Sequence, residues 1–266
     1  MTQSKLLDKF PSLKSVILDM DGVLWRDKES IGDLPEIFTR ISGLGLKVLL
    51  ATNNATKNVS EYLEKLAGYG VHLETWQVMT SAIACGIYLK EKYPTGGKLY
   101  IIGTPSLVNT LVDYGFQSAV EGERALAVVA GLDRDFNYHK LRNATIQIYQ
   151  GAFFMGTNPD RTFPTPEGLV PGAGSILAAI QAATYVEPFI AGKPSPLMYA
   201  MAMERLQTSP EDTIAVGDRF DTDIVGGQRA GMRTALLLSG VESRSNSPEW
   251  HPEPDMIAGD LTELLT

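Results

Sequence analysis

A chain of 266 residues that is 44% hydrophobic and 20% charged has the composition of a folded globular protein and excludes a disordered or low-complexity one. Its 31 acidic and 23 basic side chains give a net charge of −8, which argues against nucleic acid or an anionic membrane as partner. The one cysteine, Cys85, excludes an intrachain disulfide and a zinc site built on several thiolates, and His72, His139 and His251 are too scattered for a local metal motif.

Taken in order, the chain opens on Met-Thr-Gln-Ser-Lys-Leu-Leu-Asp-Lys-Phe-Pro, which has no apolar leader. No later run approaches the ~18 apolar residues of a membrane span. A soluble, reduced, cytoplasmic protein is therefore expected. The first strand is Val16–Leu18, and it runs directly into Asp19-Met-Asp21-Gly22. In an extended chain, residues two apart face the same side, about 6–7 Å apart along the backbone. Gly22 then allows a sharp turn beside a ligand. A second strand, Val48–Ala51, ends in Thr52-Asn53-Asn54, hydroxyl and amide groups that suit phosphate oxygens and would equally cap a helix.

Near Thr80–Ser81 the chain can leave one domain, and near Val186–Pro188 it can re-enter it. The expected division is 1–80 with 187–266 as one domain and 81–186 as an inserted smaller one. Within the insertion, Leu99–Ile102, Leu126–Ala130 and Thr145–Ile148 read as strands. Gly174–Thr184 reads as a helix, with Ile176, Leu177, Ile180 and Ala183 at helical spacing. Beyond it, Gly192-Lys193-Pro194 pins one lysine at the mouth of a strand, and Ser195-Pro196 opens a helix with serine as its cap. The strand Thr213–Val216 leads into Gly217-Asp218-Arg-Phe-Asp221-Thr-Asp223. The helix after it stops at Gly231, and Thr234–Leu238 is the last strand. Short apolar strands alternating with helices indicate an α/β protein with parallel sheets. In such sheets ligands gather beyond the carboxyl ends of the strands.

Asp19–Gly22, Thr52–Asn54, Lys193 and Gly217–Asp223 each follow an apolar run, and together they supply a nucleophile, phosphate donors, a cation and metal ligands. Their order resembles the haloacid dehalogenase superfamily of phosphatases, in particular the group of 4-nitrophenylphosphatases, phosphoglycolate phosphatases and NagD-like enzymes. Thr157-Asn158-Pro159-Asp160 and Pro171-Gly-Ala-Gly174-Ser175 extend the resemblance into the insertion. It implies a Rossmann-like parallel-sheet core carrying an α/β cap. The activity it implies is Mg²⁺-dependent hydrolysis of a small phosphomonoester through an aspartyl-phosphate.

By the same resemblance Asp19 is the nucleophile and Asp21 the general acid and base. Mg²⁺ would be held by Asp19, the backbone carbonyl of Asp21, and Asp218, with Asp223 one layer further out ordering a water. Thr52, Asn53, Asn54 and Lys193 would bind phosphate, and Arg161 and Phe163 in the insertion are the specificity candidates. The partner implied is a small phosphorylated metabolite, with a homodimer admitted through the cap. A catalytically silent phosphate-binding protein on the same fold and a receiver-like signalling domain are the alternatives.

Overall fold

The apolar runs at 16–18, 48–51, 99–102, 126–130, 213–216 and 234–238 become strands in the computed structural model, which describes residues 4–165, 167–243 and 250–266. They divide between two units. The first comprises Met1–Thr52, Val59–Met79 and Pro194–Thr266, and the second Asn53–Asn58 and Thr80–Lys193. The protein is an α/β fold, a Rossmann-like parallel-sheet core interrupted by a smaller α/β insertion.

The first unit is built on a six-stranded sheet in the spatial order Met256–Ala258, Arg233–Leu237, Thr213–Gly217, Ser15–Leu18, Lys47–Thr52, Val78–Thr80. Ser15–Leu18 pairs in parallel with Lys47–Thr52 on one side and with Thr213–Gly217 on the other. All four residues of Ser15–Leu18 are buried, as are all five of Thr213–Gly217, which is why these segments read as unbroken apolar runs. From the central strand the chain proceeds first to one side of the sheet and later returns on the other. The order therefore reverses between Ser15–Leu18 and Thr213–Gly217, the kind of switch point at which α/β sheets open a crevice. Leu18, Leu50, Val216, Leu237 and the wholly buried Trp25 belong to the apolar core around this sheet.

The second unit carries a five-stranded sheet in the order Phe189–Ile190, Phe153–Gly156, Ala127–Ala130, Gly97–Ile102, Phe116–Ser118, every pair parallel. Its core gathers Ile102, Val128, Phe154, Leu177 and Ile180. The helix Ala173–Thr184 covers the span expected of it. Thr145–Ile148, expected as a strand, lies instead in the helix Tyr138–Tyr149. Asn137 caps that helix by accepting the Lys140 N–H at 3.1 Å, and Ala144, Gln147 and Ile148 form its buried stripe. Here the β-branched residues gave a strand signal that the cap and the stripe overrode. Among the described residues no helix is long and apolar enough to cross a membrane.

Candidate active site

Two adjacent parallel strands end side by side at the switch point, and each delivers an acid. Leu18 is in register with Val216, so Asp19 and Asp218 both emerge from the carboxyl edge of the sheet, and the Asp19 N–H donates to the Val216 carbonyl at 2.9 Å. The turn Phe220–Ile224 then brings Asp223 back over the strand end, where its Oδ2 accepts the Arg219 N–H at 3.1 Å. Ligand oxygens of Asp19, Asp218 and Asp223 all lie within 4.8 Å of one another, and Asp218 and Asp223 are buried. Two carboxylates at about 4 Å repel by about 4 kcal/mol at an effective dielectric near 20, so three in one mouth call for a cation. An all-oxygen, all-carboxylate donor set fits Mg²⁺, which takes one or two carboxylates, keeps waters and accepts substrate phosphate.

Glycines open the space these acids occupy. A methyl group at Gly22, where φ is +86°, would collide with the Asp218 carboxylate, and so would one at Gly240. A methyl at Gly217 would strike Asp223. The loop after Arg233–Leu237 closes the mouth from the far side. The Val241 N–H donates to Asp218 Oδ2 at 2.8 Å, the Ser239 hydroxyl donates to the Gly22 carbonyl at 2.7 Å, and Arg26 Nε donates to the Ser239 carbonyl at 2.7 Å. None of these loop residues carries a motif, and sequence reading missed them.

Asp21 is exposed, and its Oδ1 accepts a hydrogen bond from the indole Nε1 of Trp25 at 2.8 Å. Thr52, the last residue of its strand, is buried and hydrogen-bonded to the phenol of Tyr62 from the helix Val59–Gly68. Burial pushes the Tyr62 phenol well above its ordinary range, and the nearby carboxylates of Asp21 and Asp19 push it further. Tyr62 thus stays a neutral hydroxyl beside the acids. An isolated tyrosine on an amphipathic helix gave no sign of this in the sequence.

In the second unit, the side chain of Asn53 is fastened to the backbone of Lys193. Its Oδ1 accepts the Lys193 N–H at 2.7 Å, and its Nδ2 donates to the Lys193 carbonyl at 2.9 Å. Asn158 Nδ2 and Ser81 Oγ both donate to the Asn53 carbonyl, at 2.8 and 2.6 Å. The Lys193 side chain is buried, an uncommon setting for a lysine. Gly192 lets these strands of chain meet, since a Cβ there would press on Asn53, Thr157 and Ser81. The second and third motif segments, 140 residues apart in sequence, are joined directly. Asn54 makes a local turn, accepting the Thr56 N–H and hydroxyl at 2.9 and 2.7 Å. Arg161 is exposed and Phe163 half-buried, at and within the start of the hairpin Thr162–Thr165 with Gly168–Pro171.

Comparison with known proteins finds relatives aligned over nearly the whole chain. Residues 16–117 match the model of haloacid dehalogenase-like hydrolases, and residues 190–264 match a second, HAD-hydrolase-like model. The chain is 32% identical to the chloroplastic phosphoglycolate phosphatase 1A of Arabidopsis thaliana, an alignment covering 96% of this chain and 77% of that protein. It is also 32% identical to an acid sugar phosphatase of Staphylococcus aureus, over 95% of this chain and 96% of the relative. A glycerol phosphate phosphatase of Mycobacterium tuberculosis, solved in complex with magnesium, superposes with a TM-score of 0.88 at 30% identity. That match covers 99% of this chain and 79% of the other.

Proposed function

The chain belongs to the haloacid dehalogenase-like hydrolases, and from that premise we propose a Mg²⁺-dependent phosphatase that hydrolyses a small phosphomonoester through an aspartyl-phosphate on Asp19. The observation that carries this reading is the convergence of Asp19, Asp218 and Asp223 at the switch point of the sheet. A silent binding protein has no use for so dense a set of acids around a phosphate site.

Asp19, Asp218 and the backbone carbonyl of Asp21 would hold the ion, with Asp223 supporting them from the turn. Bound Mg²⁺ offsets the negative charge of acids and phosphate together and orients the phosphoryl group. Asp19 attacks phosphorus in line, its oxygen–phosphorus bond forming as the ester phosphorus–oxygen bond breaks. Asp21 delivers its proton to the departing oxygen. It then takes a proton from the water that attacks the aspartyl-phosphate, which frees inorganic phosphate and restores Asp19. Thr52, oriented by Tyr62, donates to a phosphate oxygen, and Lys193 offsets phosphate charge. Asn53, whose amide is occupied with Lys193, contributes its backbone N–H and keeps the lysine in place. Asn54, whose Oδ1 is engaged by the Thr56 N–H, is the weaker phosphate-binding candidate of the three.

The insertion, 81–186 in this reading, selects the leaving group, with Arg161 and Phe163 as the side chains that meet it. The phosphoglycolate, sugar phosphate and glycerol phosphate named for its relatives define the substrate class, a small metabolite carrying one phosphate ester. We place the enzyme in the cytoplasm, where its single thiol needs no partner, and as a homodimer, which light scattering on the purified chain tests.

The test of the function is phosphate release from a panel of phosphoglycolate, sugar, nucleotide and aryl phosphates, with Mg²⁺ and after chelation. Metal-dependent release from at least one ester, abolished in a folded Asp19→Asn variant, is expected. Release from none by intact protein with metal present would overturn the phosphatase reading and favour a silent binder.

A further inference from the structure

The chain turns sharply after Asp19, and the turn places Trp25 against Asp21. The Leu24 N–H donates to the Met20 carbonyl at 2.8 Å, and the Gly22 N–H donates to the Trp25 carbonyl at 2.8 Å. This folds residues 20–25 into a knot whose far end returns to Asp21, where the indole N–H meets Oδ1 at 2.8 Å. The ring itself is 1% exposed and held on its faces. Tyr69 stacks on it with centroids 6.1 Å apart, and the Lys65 ammonium lies 3.9 Å from its centroid. Both also tie down the chain just beyond the tryptophan. Lys65 Nζ donates to the Asp27 carbonyl at 2.7 Å, and the Tyr69 hydroxyl donates to the Lys28 carbonyl at 2.6 Å.

An exposed carboxylate at a loop end ordinarily rotates, but this one is bonded to a donor that cannot. A hydrogen bond to a carboxylate is about twice as strong as a neutral one, and an indole has only the one N–H to give. We propose that Trp25 is a positioning residue for Asp21: its immobilised indole fixes Oδ1 and leaves Oδ2 as the oxygen that passes the proton to the leaving group. As Asp19 forms its bond to phosphorus and the ester bond breaks, the proton on Oδ2 goes to the departing alkoxide, and Asp21 is left as a carboxylate still held through Oδ1. Lys65 and Tyr69 act one step behind, by holding the ring. The inference rests on the phosphatase reading given above.

Leaving groups separate this role from a structural one. 4-Nitrophenolate departs without a proton, whereas the alkoxide of glycerol phosphate or phosphoglycolate needs one. Losing a hydrogen bond to a charged group costs about tenfold or more in a rate that depends on it. In Trp25→Phe, kcat/KM for the alkyl phosphate should fall about tenfold or more, while kcat/KM for 4-nitrophenyl phosphate stays within about twofold. A benzothienylalanine at position 25, with sulfur in place of the N–H, keeps the ring's size and gives the same comparison if phenylalanine unfolds the turn. An equal fall on both esters, or no fall on either, overturns the positioning role. Wild-type protein that releases phosphate from no ester of the full panel with Mg²⁺ present removes the phosphatase reading and this inference with it, before any variant is made.

Discussion

Replacing Gly22 by alanine puts a methyl group where the Asp218 carboxylate lies, on a backbone that alanine resists. At φ +86° the conformation alone costs about 1–2 kcal/mol. Relieving the collision means moving a carboxylate that is 2% exposed and bonded to the Val241 N–H at 2.8 Å, a further ~2 kcal/mol if that charge-assisted bond is lost. Gly45 provides the control. Its φ is +75°, yet nothing lies within 4 Å of the position a Cβ would take, so Gly45→Ala reports the backbone cost without the collision. Thermal unfolding should therefore place Gly22→Ala about 4–8 °C below Gly45→Ala, at roughly 2–4 °C per kcal/mol for a chain of this size. Repeating the scan with Mg²⁺ at about 100 times its Kd should stabilise the wild type and Gly45→Ala by about 2.7 kcal/mol. Gly22→Ala should gain much less, because its ligand has moved. Equal melting temperatures for the two variants, with equal stabilisation by the ion, would refute the packing of Gly22 on Asp218 and the ion site built from it.

Asn53→Ala removes the two bonds between its side chain and the Lys193 backbone. It should cost about 1–3 kcal/mol in denaturant unfolding and raise KM more than it lowers kcat, as expected of a variant that loosens the phosphate site. Tyr62 has its phenol raised above the ordinary value of 10.0 by burial first and then by Asp21 and Asp19. The stability this group contributes is whole below pH about 10 and is lost as pH rises beyond it, because the unfolded chain ionises there and the folded chain does not. Tyr62→Phe should therefore flatten the alkaline fall in unfolding free energy by up to ~1.4 kcal/mol per pH unit above pH 10, as read by denaturant titrations at stepped pH.

What could be read directly from the sequence was whatever produces a local pattern. Buried parallel strands such as Val16–Leu18 and Thr213–Val216 announce themselves as apolar runs, and acids directly after them are carried to the sheet edge by the strand itself. The short strands Val78–Thr80, Phe116–Ser118 and Met256–Ala258 have three residues each, too few to establish a period. Thr145–Ile148 shows the opposite failure, a run with strand composition absorbed by a helix whose cap lies eight residues upstream at Asn137. Around the site, the supports depend on contacts between distant segments. Gly240 and Val241 on Asp218, Tyr62 on Thr52, and Asn53 on Lys193 are set by tertiary packing, and no spacing rule foretells them. Trp25 is a nearer case, four residues from Asp21, where the signal was an aromatic that reads first as core.

The role of Asp19 as the phosphoryl acceptor is tested most directly by trapping. Enzyme quenched during turnover of a monoester with Mg²⁺ is reduced with borohydride, which converts an aspartyl-phosphate to homoserine, and its peptides are weighed. Homoserine at position 19, dependent on both ester and metal, is the predicted result. Its appearance at another acid, or steady phosphate release by a folded Asp19→Asn protein, would contradict it.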